Sequence, residues 1–317
     1  MIQVKAYKKE YYDIWNDFIR KSKCPMFMFN RDFIEYHSDR FKDASLMFFR
    51  DDDLIGVLPA SVHGSELRSH GGLTYGGLLA SDDMKQHTML ECFEALKVYL
   101  ESNGIISLVY KTVPYIYYLK PNQEDVYALF RFGATLHDVS SSTVIDLQNP
   151  CRMTKGRKSQ ISRARREGVE VVETKNFTDF LELENRVLFE RHNTFAVHTD
   201  IELEQLHKKF SHNIILLCGY YKEKMIAGAL LFVYETVVHT QYLAADEKAR
   251  EIGALDLVIS ECIKKSVKLG VRYFDFGTSQ DPRGGGINAG LKSQKEGFGG
   301  RTVVQSVWKV QIRGNNI

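Results

Sequence analysis

Cysteine and proline are scarce in this chain, and their scarcity excludes several classes of protein. The five cysteines (Cys24, Cys92, Cys151, Cys218 and Cys262) are odd in number and widely spaced, with no CxxC pair. We therefore expect reduced thiols in a cytoplasmic protein, with neither a disulfide framework nor a structural zinc site. Only 6 of the 317 residues are proline, which excludes a proline-rich linker.

Long apolar runs and a strong charge of one sign are also missing. No stretch approaches the ~18 consecutive apolar residues of a membrane span. The charged N-terminus, MIQVKAYKKE, lacks the apolar core of a signal peptide. The 42 basic and 40 acidic residues leave a formal charge of +2, so we expect no DNA partner. The histidines have no metal-ligand spacing, and we assign no metal.

The chain does contain a core-forming composition and an internal repeat. Hydrophobic residues make up 44% of it and charged residues 26%, which supports a packed core. At ~150 residues per domain, this length indicates two domains or one large one. Residues 45–60 and 214–232 share one pattern, an apolar run, a charged turn and a second apolar run. The pattern predicts a β-hairpin in each half.

The segments around the two hairpins match as well. Each hairpin is followed by a strand (ending near Tyr75 in the first half), an amphipathic helix that a glycine ends, and another strand. Helices that precede the hairpins are predicted over residues 11–21, 31–37, 179–192 and 201–210. The sequence therefore predicts a duplicated α+β fold, although many unrelated α+β folds share this order of elements.

A polar strand and a turn mark the predicted boundary between the halves. Residues 140–147 have the pattern of a closing strand, and Asn149-Pro150 is a turn signal. We predict an N-terminal domain over 1–150 and a C-terminal domain over 151–317. The last strand, over 302–312, is free to pair in either domain.

Three stretches of the second half resemble the Fem-type group of GNAT-fold acyltransferases. They are the basic segment 155–171, the segments YLAA and AREIGAL within 242–255, and the run from YFDFG at 273–277 to NAGLKSQKEGFG at 288–299. The resemblance implies two tandem GNAT-like domains, each a mixed, mostly antiparallel sheet flanked by helices. It also implies transfer of an acyl or aminoacyl group onto an amine of a cell-envelope precursor, an amino sugar or a peptide. No permanently bound cofactor is implied, and acyl-CoA and aminoacyl-tRNA are the alternative donor substrates.

One motif departs from the acetyl-CoA-binding members of this superfamily. These typically carry Gln/Arg-x-x-Gly-x-Gly/Ala at a helix N-terminus, whose backbone N–H groups hold a pyrophosphate. Here Arg250 and Gly253 are in register and are candidates for substrate binding, but Leu255 replaces the second small residue. The departure favours a donor other than acetyl-CoA.

Acyl transfer to an amine needs a group that stabilises the developing oxyanion and a group that removes a proton. The resemblance makes Lys295, in a glycine-rich surface segment, the candidate charge stabiliser; a solvent-facing lysine is the alternative. Asp275 ends an aromatic strand and is the candidate base, unless it caps the next turn or pairs with Arg272 or Arg283. Tyr242 either donates a proton or packs its ring in the core.

Basic and glycine-rich segments supply the remaining substrate-binding candidates of the second half. Arg157 and Lys158 belong to a basic helix that either binds phosphates of CoA, a nucleotide-linked sugar or tRNA, or is a solvated face. Asn288 either anchors the preceding loop or contacts substrate. That loop has three consecutive glycines over 284–286 and forms either a phosphate-binding nest or a mobile loop. Phe298 lies beside Lys295 in the sequence and is included with it.

The first half contributes one candidate loop, in which His70 and Tyr75 flank Gly71-Gly72. We expect this loop to line a groove between the domains and to hold the acceptor, two glycine-dependent turns being the alternative. A second function from another class also stays open. It is a catalytically inactive GNAT-fold protein that binds a nucleotide-linked or tRNA ligand. The sequence does not indicate an oligomeric state.

Overall fold

The computed structural model describes residues 1–281 and 286–312, apart from the side chains of His37 and His192. Gly284 and Gly285 of the predicted glycine loop, and Arg283, lie outside the described residues. The chain divides into two compact units. The first contains residues 1–140 and the described residues from Val304 onward, and the second contains residues 141–303.

The first unit contains eleven complete helices and strands in its described part. They are β1 (Ile2–Ala6), α1 (Tyr12–Lys21), α2 (Arg31–Ile34), β2 (Leu46–Arg50), β3 (Asp53–Leu58), β4 (Ser61–His63), β5 (Glu66–Arg68), β6 (Leu79–Ala80), α3 (Gln86–Ser102), β7 (Ser107–Lys111) and α4 (Glu124–Arg131). Strand β8 (Thr135–Asp146) begins in this unit and ends in the second.

The second unit repeats the pattern with longer strands. Its elements are α5 (Lys155–Arg166), β9 (Glu170–Thr174), α6 (Phe177–His192), α7 (Asp200–Lys209), β10 (Ile214–Tyr221), β11 (Lys224–Val233), β12 (Val237–Ala245), α8 (Glu247–Ile252), α9 (Ala254–Leu269), β13 (Tyr273–Thr278) and α10 (Ala289–Gly297). Strand β14 (Arg301–Gln311) begins here and ends in the first unit.

The sheet of the second unit has the strand order β8-β13-β12-β11-β10-β9. Neighbouring strands of this sheet are antiparallel, with one exception. Strands β12 and β13 are parallel, and helices α8 and α9 connect them. Strand β11 is apolar and buried along most of its length, because helices cover both faces of the sheet. Gly219 of β10 lies against Val258 of α9, and Gly228 of β11 lies against Phe180 of α6.

The strands of the first unit follow the same order as those of the second, except that the sheet is interrupted at one place. Strands β1, β2, β3 and β6 form an antiparallel sheet, whereas β5 pairs in parallel with β7. The single long strand β12 of the second unit thus corresponds to two short strands, β5 and β6. The last strand, β14, pairs with β7, just as β8 pairs with β13 in the second unit. The predicted α+β fold with tandem, mostly antiparallel units is confirmed.

Two segments differ from the sequence-based expectations. The strand predicted to end near Tyr75 is a loop, because Gly76 lies so close to Ser69 that a Cβ there would sit 2.5 Å from the Ser69 carbonyl oxygen. The polar strand predicted to close the first half pairs instead with β13, where its buried Val144 and Ile145 join the second unit.

The close approach of α6 to β11 makes a test of the packing. A Cβ added at Gly228 would lie 2.7 Å from the Phe180 ring, so we expect Gly228→Ala to destabilise the protein by about 1–3 kcal/mol through overpacking. Urea unfolding measures the change. Gly156→Ala on α5 is the matched control, because nothing lies within 4 Å of its Cβ position. Equal stability of Gly228→Ala and the wild type would contradict the packing.

Candidate active site

The candidate site begins where two parallel strands of the second unit separate. Strands β12 and β13 pair over three positions and end their pairing at His239 and Asp275. On its other side β12 carries one extra residue, Gln241, relative to β11. Such a bulge bends a strand and increases its twist, so β12 leaves β13 and the sheet opens at the carboxyl ends of both strands.

A cavity of about 150 Å³ occupies this opening. It is lined by Val187, Arg191, Leu243, Ala245, Arg250, Leu255, Ile259, Phe276, Leu291, Gln294, Lys295 and Phe298. Most of these side chains are apolar, and the charged ones are all cationic. An apolar cavity of about 150 Å³ accommodates a molecule the size of benzene, so this one suits a short acyl group.

Lys295 is a buried cation in the cavity wall. It lies in helix α10 and is only 5% exposed, whereas the sequence predicted a surface segment. Its Nζ donates hydrogen bonds to the carbonyl oxygens of Gly277 (3.2 Å) and Thr278 (2.6 Å). Burial lowers the pKa of Lys295 to about 8, opposed by the Asp275 carboxylate and reinforced by Lys292. The ammonium is therefore mostly charged at neutral pH.

Helix α10 is fixed by polar contacts at its start. The Asn288 side chain caps it by accepting the Leu291 backbone N–H at 3.0 Å. One turn later the Lys292 Nζ donates to the hydroxyls of Ser141 (3.0 Å) and Thr302 (2.9 Å). Asn288, predicted either to anchor its loop or to contact substrate, thus makes a structural contact that positions the helix carrying Lys295.

Asp275 lies on the other face of β13 from the cavity. It is fully buried, and its Oδ1 accepts the Gly277 N–H at 2.7 Å, so it caps the turn after the strand. Its Oδ2 lies 3.0 Å from the His239 Nδ1. Successive side chains alternate across a strand, and the neighbouring Phe276 is the one that lines the cavity. Sequence reasoning missed His239, which only the parallel register brings beside Asp275.

Tyr242 also points away from the cavity, since its neighbour Leu243 lines it. The Tyr242 hydroxyl lies 2.7 Å from the His198 Nδ1 and accepts the Val197 N–H at 3.2 Å. Burial raises the pKa of Tyr242, so the phenol stays protonated at neutral pH. It belongs to a polar cluster beneath α6.

Two arginines lie at the cavity, and the predicted Arg250 is one of them. Its Nη1 donates to the Ala245 carbonyl at 2.6 Å. Burial and then the Arg250 guanidinium lower the pKa of Arg191, the second one. Gly253 links α8 to α9 with a left-handed φ of 78°. A Cβ there would lie 2.6 Å from the Gln160 carbonyl oxygen, so α5 fills the space beside it.

Helix α5 also covers the first turn of α9. Arg157 donates to the Asp256 carboxylate at 2.6 Å, and its guanidinium lies 6.0 Å from the centre of the Phe298 ring. A carboxylate and an arginine therefore occupy the helix start where a pyrophosphate binds in acetyl-CoA enzymes. Lys158 is exposed on α5.

The two candidates from the first half are interior residues of the first unit. His70 is 1% exposed, and burial lowers its pKa to about 4, so the ring is neutral at physiological pH. The Tyr75 hydroxyl lies 3.1 Å from the Tyr117 hydroxyl, and both rings are buried. Their role in binding an acceptor stays a prediction.

Metal ligands, membrane-spanning helices and thiols can be assessed in the described part of the chain. No group of three or more His, Cys, Asp or Glu side chains in it is placed to hold a metal ion. None of its helices combines the length and apolar character needed to cross a membrane. Its five cysteines are free, and all but Cys151 are buried.

Known proteins resemble the second unit in sequence and the whole chain in fold. Residues 155–283 match the family described as acetyltransferase (GNAT) domain, and no curated protein matches the sequence significantly. FemX has a TM-score of 0.68 at 11% identity, over 96% of both chains. L-PGS from Bacillus licheniformis has a TM-score of 0.66 at 13% identity, over 98% of this chain and 94% of that one.

The tandem arrangement has a solved counterpart as well. A tandem GNAT protein from the clavulanic acid biosynthesis pathway has a TM-score of 0.56 at 10% identity, over 100% of both chains. Identities this low show a common fold alone. Residues 155–283 of the second unit are similar to the GNAT domain family, and the resemblance to Fem-like tandem GNAT proteins is confirmed at the level of fold.

The buried ammonium predicts how stability depends on pH. The pKa of Lys295 is about 8 in the folded protein against 10.5 for an ordinary lysine, so between these values the unfolded state binds more protons. Stability therefore rises with pH through this window, by up to about 3 kcal/mol. Urea unfolding of the wild type and of Lys295→Met from pH 7.5 to 10.5 isolates this contribution. Lys158→Met is the exposed control, and parallel pH curves for all three proteins would contradict the burial.

Proposed function

We propose that this protein is an N-acyltransferase that moves an acyl or aminoacyl group onto an amine of a cell-envelope precursor, an amino sugar or a peptide. The observation that carries the proposal is a short apolar cavity with a buried lysine ammonium in its wall, inside a GNAT domain. The fold similarity to FemX and L-PGS supports aminoacyl transfer in envelope biosynthesis, and the acceptor within it is our proposal.

The cavity supplies two requirements of acyl transfer by direct attack. The apolar lining holds the acyl chain and places its carbonyl carbon before the attacking nitrogen. As the amine attacks, negative charge develops on the carbonyl oxygen, and a preorganised cation stabilises that charge. The Lys295 ammonium has three N–H donors and gives two to the carbonyls of Gly277 and Thr278, which leaves one for the oxyanion.

For the donor, we propose an aminoacyl-tRNA rather than acetyl-CoA. A pyrophosphate at the start of α9 would approach the Asp256 carboxylate, and it would also meet the backbone carbonyl oxygen and the side-chain Oε1 of Gln160. The exposed face of α5 carries Lys155, Lys158 and Arg166, which suits the phosphates of a nucleic acid. Such donors are made in the cytoplasm, and we place the reaction there, without a permanently bound cofactor.

A ligand panel tests the donor. We expect tRNA to raise the midpoint of thermal unfolding and CoA to leave it unchanged, since a ligand at one hundred times its Kd adds about 2.7 kcal/mol of stability. The shift falls with added salt, because phosphate binding releases counterions. Lys158→Glu with Arg166→Glu abolishes the tRNA shift, whereas Lys8→Glu with Lys9→Glu, the same charge change elsewhere, does not. Stabilisation by CoA and not by tRNA would reverse the donor assignment.

Replacement of Lys295 tests the chemistry. We expect Lys295→Met to lower the rate of the transfer step 10²–10³-fold, as removal of an oxyanion donor does, and Lys295→Arg to retain part of it. In the wild type the rate falls as pH rises through the pKa of about 8, and Lys295→Arg lacks this fall. Single-turnover transfer from alanyl-tRNA to a lysine-bearing muramoyl peptide, over pH 6–9.5, measures both. Wild-type rates in Lys295→Met would remove Lys295 from the mechanism.

The filled space beside Gly253 also favours a second candidate, a GNAT-fold protein that binds a nucleotide-linked or tRNA ligand without catalysis. The same assay separates the two candidates. A ligand that stabilises the protein while no donor is consumed favours the binding protein.

A further inference from the structure

Strand β1 ends the sheet of the first unit with an open edge. It pairs with β2 on one side, and in the described part of the chain no strand pairs with its other side. Such an edge presents a row of unpaired N–H and C=O groups, and proteins usually protect it with charges, a proline or a covering element. The sequence of β1, IQVKA, has no proline, and the ammonium of its one charged residue, Lys5, lies over the Phe49 ring.

An apolar groove runs beside this edge, between β1 and α3. Its volume is about 540 Å³, and most of its walls are apolar, formed by Ile2 and Val4 of β1 and by Ala95, Val98 and Tyr99 of α3. Val98 is 62% exposed. Exposed apolar side chains that line one groove indicate a surface that binds another protein chain.

The corresponding edge of the second unit is protected. Strand β9 takes the place of β1 there, since it too is the outermost strand beside the hairpin. Helix α5 packs on α9 next to it, and Lys265 of α9 forms an ion pair with Glu173 of β9 at 2.7 Å. Counted back from the glycine that follows each helix, Lys264 and Lys265 of α9 correspond to Val98 and Tyr99 of α3. The first unit thus has apolar side chains where the second has charges.

The backbone of β1 directs every second residue outward. The Tyr7 N–H donates to the Ser45 carbonyl at 2.8 Å, so the backbone groups of Tyr7 face β2. This direction alternates along an antiparallel strand. The N–H and C=O groups of Ile2, Val4 and Ala6 therefore point to the open edge, and Val4 is the middle one of the three.

We propose that two copies of this protein associate through β1, with the two strands antiparallel about a two-fold axis at Val4. Val4 of one copy exchanges two hydrogen bonds with Val4 of the other, and Ile2 of each copy does the same with Ala6 of the other. The two four-stranded sheets become one sheet of eight strands. Side chains of opposed residues lie on the same face, so both grooves join in one apolar layer. This association does not depend on the proposed function.

The charges beside the edge are complementary about the same axis. The start of β1 lies near Glu91, because Ile2 pairs with Arg50 and Arg50 is ion-paired with Glu91. Glu94, one turn further along α3, also lines the groove and has no ion pair within the described residues. Antiparallel pairing brings the end of the other copy's β1 to this place, followed by its exposed Lys8, whose backbone is extended. Two Lys8–Glu94 contacts per dimer favour a second copy over a segment of another protein.

Val4→Pro tests the pairing. Proline lacks the N–H that Val4 directs outward, and the bonds of β1 to β2 do not use that group. Sedimentation velocity is measured on protein with no added residues before Met1. We expect the wild type to be dimeric at about 100 µM and Val4→Pro to be monomeric with an unchanged circular dichroism spectrum. Val4→Thr, which keeps the N–H and the branched shape, is the matched control and stays dimeric. A monomeric wild type, or a dimeric Val4→Pro, overturns the proposal.

Exchange of the two charges tests whether the occupant is a second copy, and it replaces Val4→Pro if that variant fails to fold. We expect Glu94→Lys and Lys8→Glu each to weaken dimerisation about tenfold, because like charges then meet at two symmetric contacts. The variant with both substitutions recovers wild-type dimerisation. Glu101→Lys, an exposed acid of α3 that does not line the groove, is the control and changes nothing. Further weakening in the double variant, in place of recovery, overturns this arrangement.

Discussion

The separation of β12 from β13 is the constraint on which the rest of this site depends. The two strands are joined by hydrogen bonds only as far as His239 and Asp275. Beyond that point the backbone groups of β13 need other partners, and the Lys295 ammonium takes the carbonyls of Gly277 and Thr278. The same break in the sheet thus makes the cavity and places a charge in its wall.

In the first unit, side chains fill the corresponding gap between separated strands. Its strands β5 and β6 separate in the corresponding place, but the Tyr110 hydroxyl accepts the Leu78 N–H and donates to the buried Asp125 at 2.7 Å. Gly77 leaves room for that ring, since a Cβ there would lie 2.8 Å from the hydroxyl oxygen. The first unit therefore fills with packed side chains the place that corresponds to the cavity beside Lys295 in the second unit.

Periodicity predicted the helices and hairpins well, because each is encoded by nearby residues. Helix α6, for example, was expected over 179–192 and spans Phe177–His192. The partners of β8 and β14 were beyond such reasoning, since they depend on strands more than a hundred residues away in the sequence. The burial of Lys295 was hidden for the same reason, because the carbonyls that it contacts belong to the end of β13.

Desolvation moves the buried lysine of this site toward neutrality. It lowers the pKa of Lys295 to about 8, although the Asp275 carboxylate opposes the shift. Near neutral pH the lysine is still mostly charged, which is the state that the proposed stabilisation of an oxyanion requires. A carboxylate in direct contact would hold the charge more firmly but would also occupy its donors. The carbonyls of Gly277 and Thr278 fix the ammonium in place and carry no full negative charge, so its positive charge is not cancelled before a substrate binds.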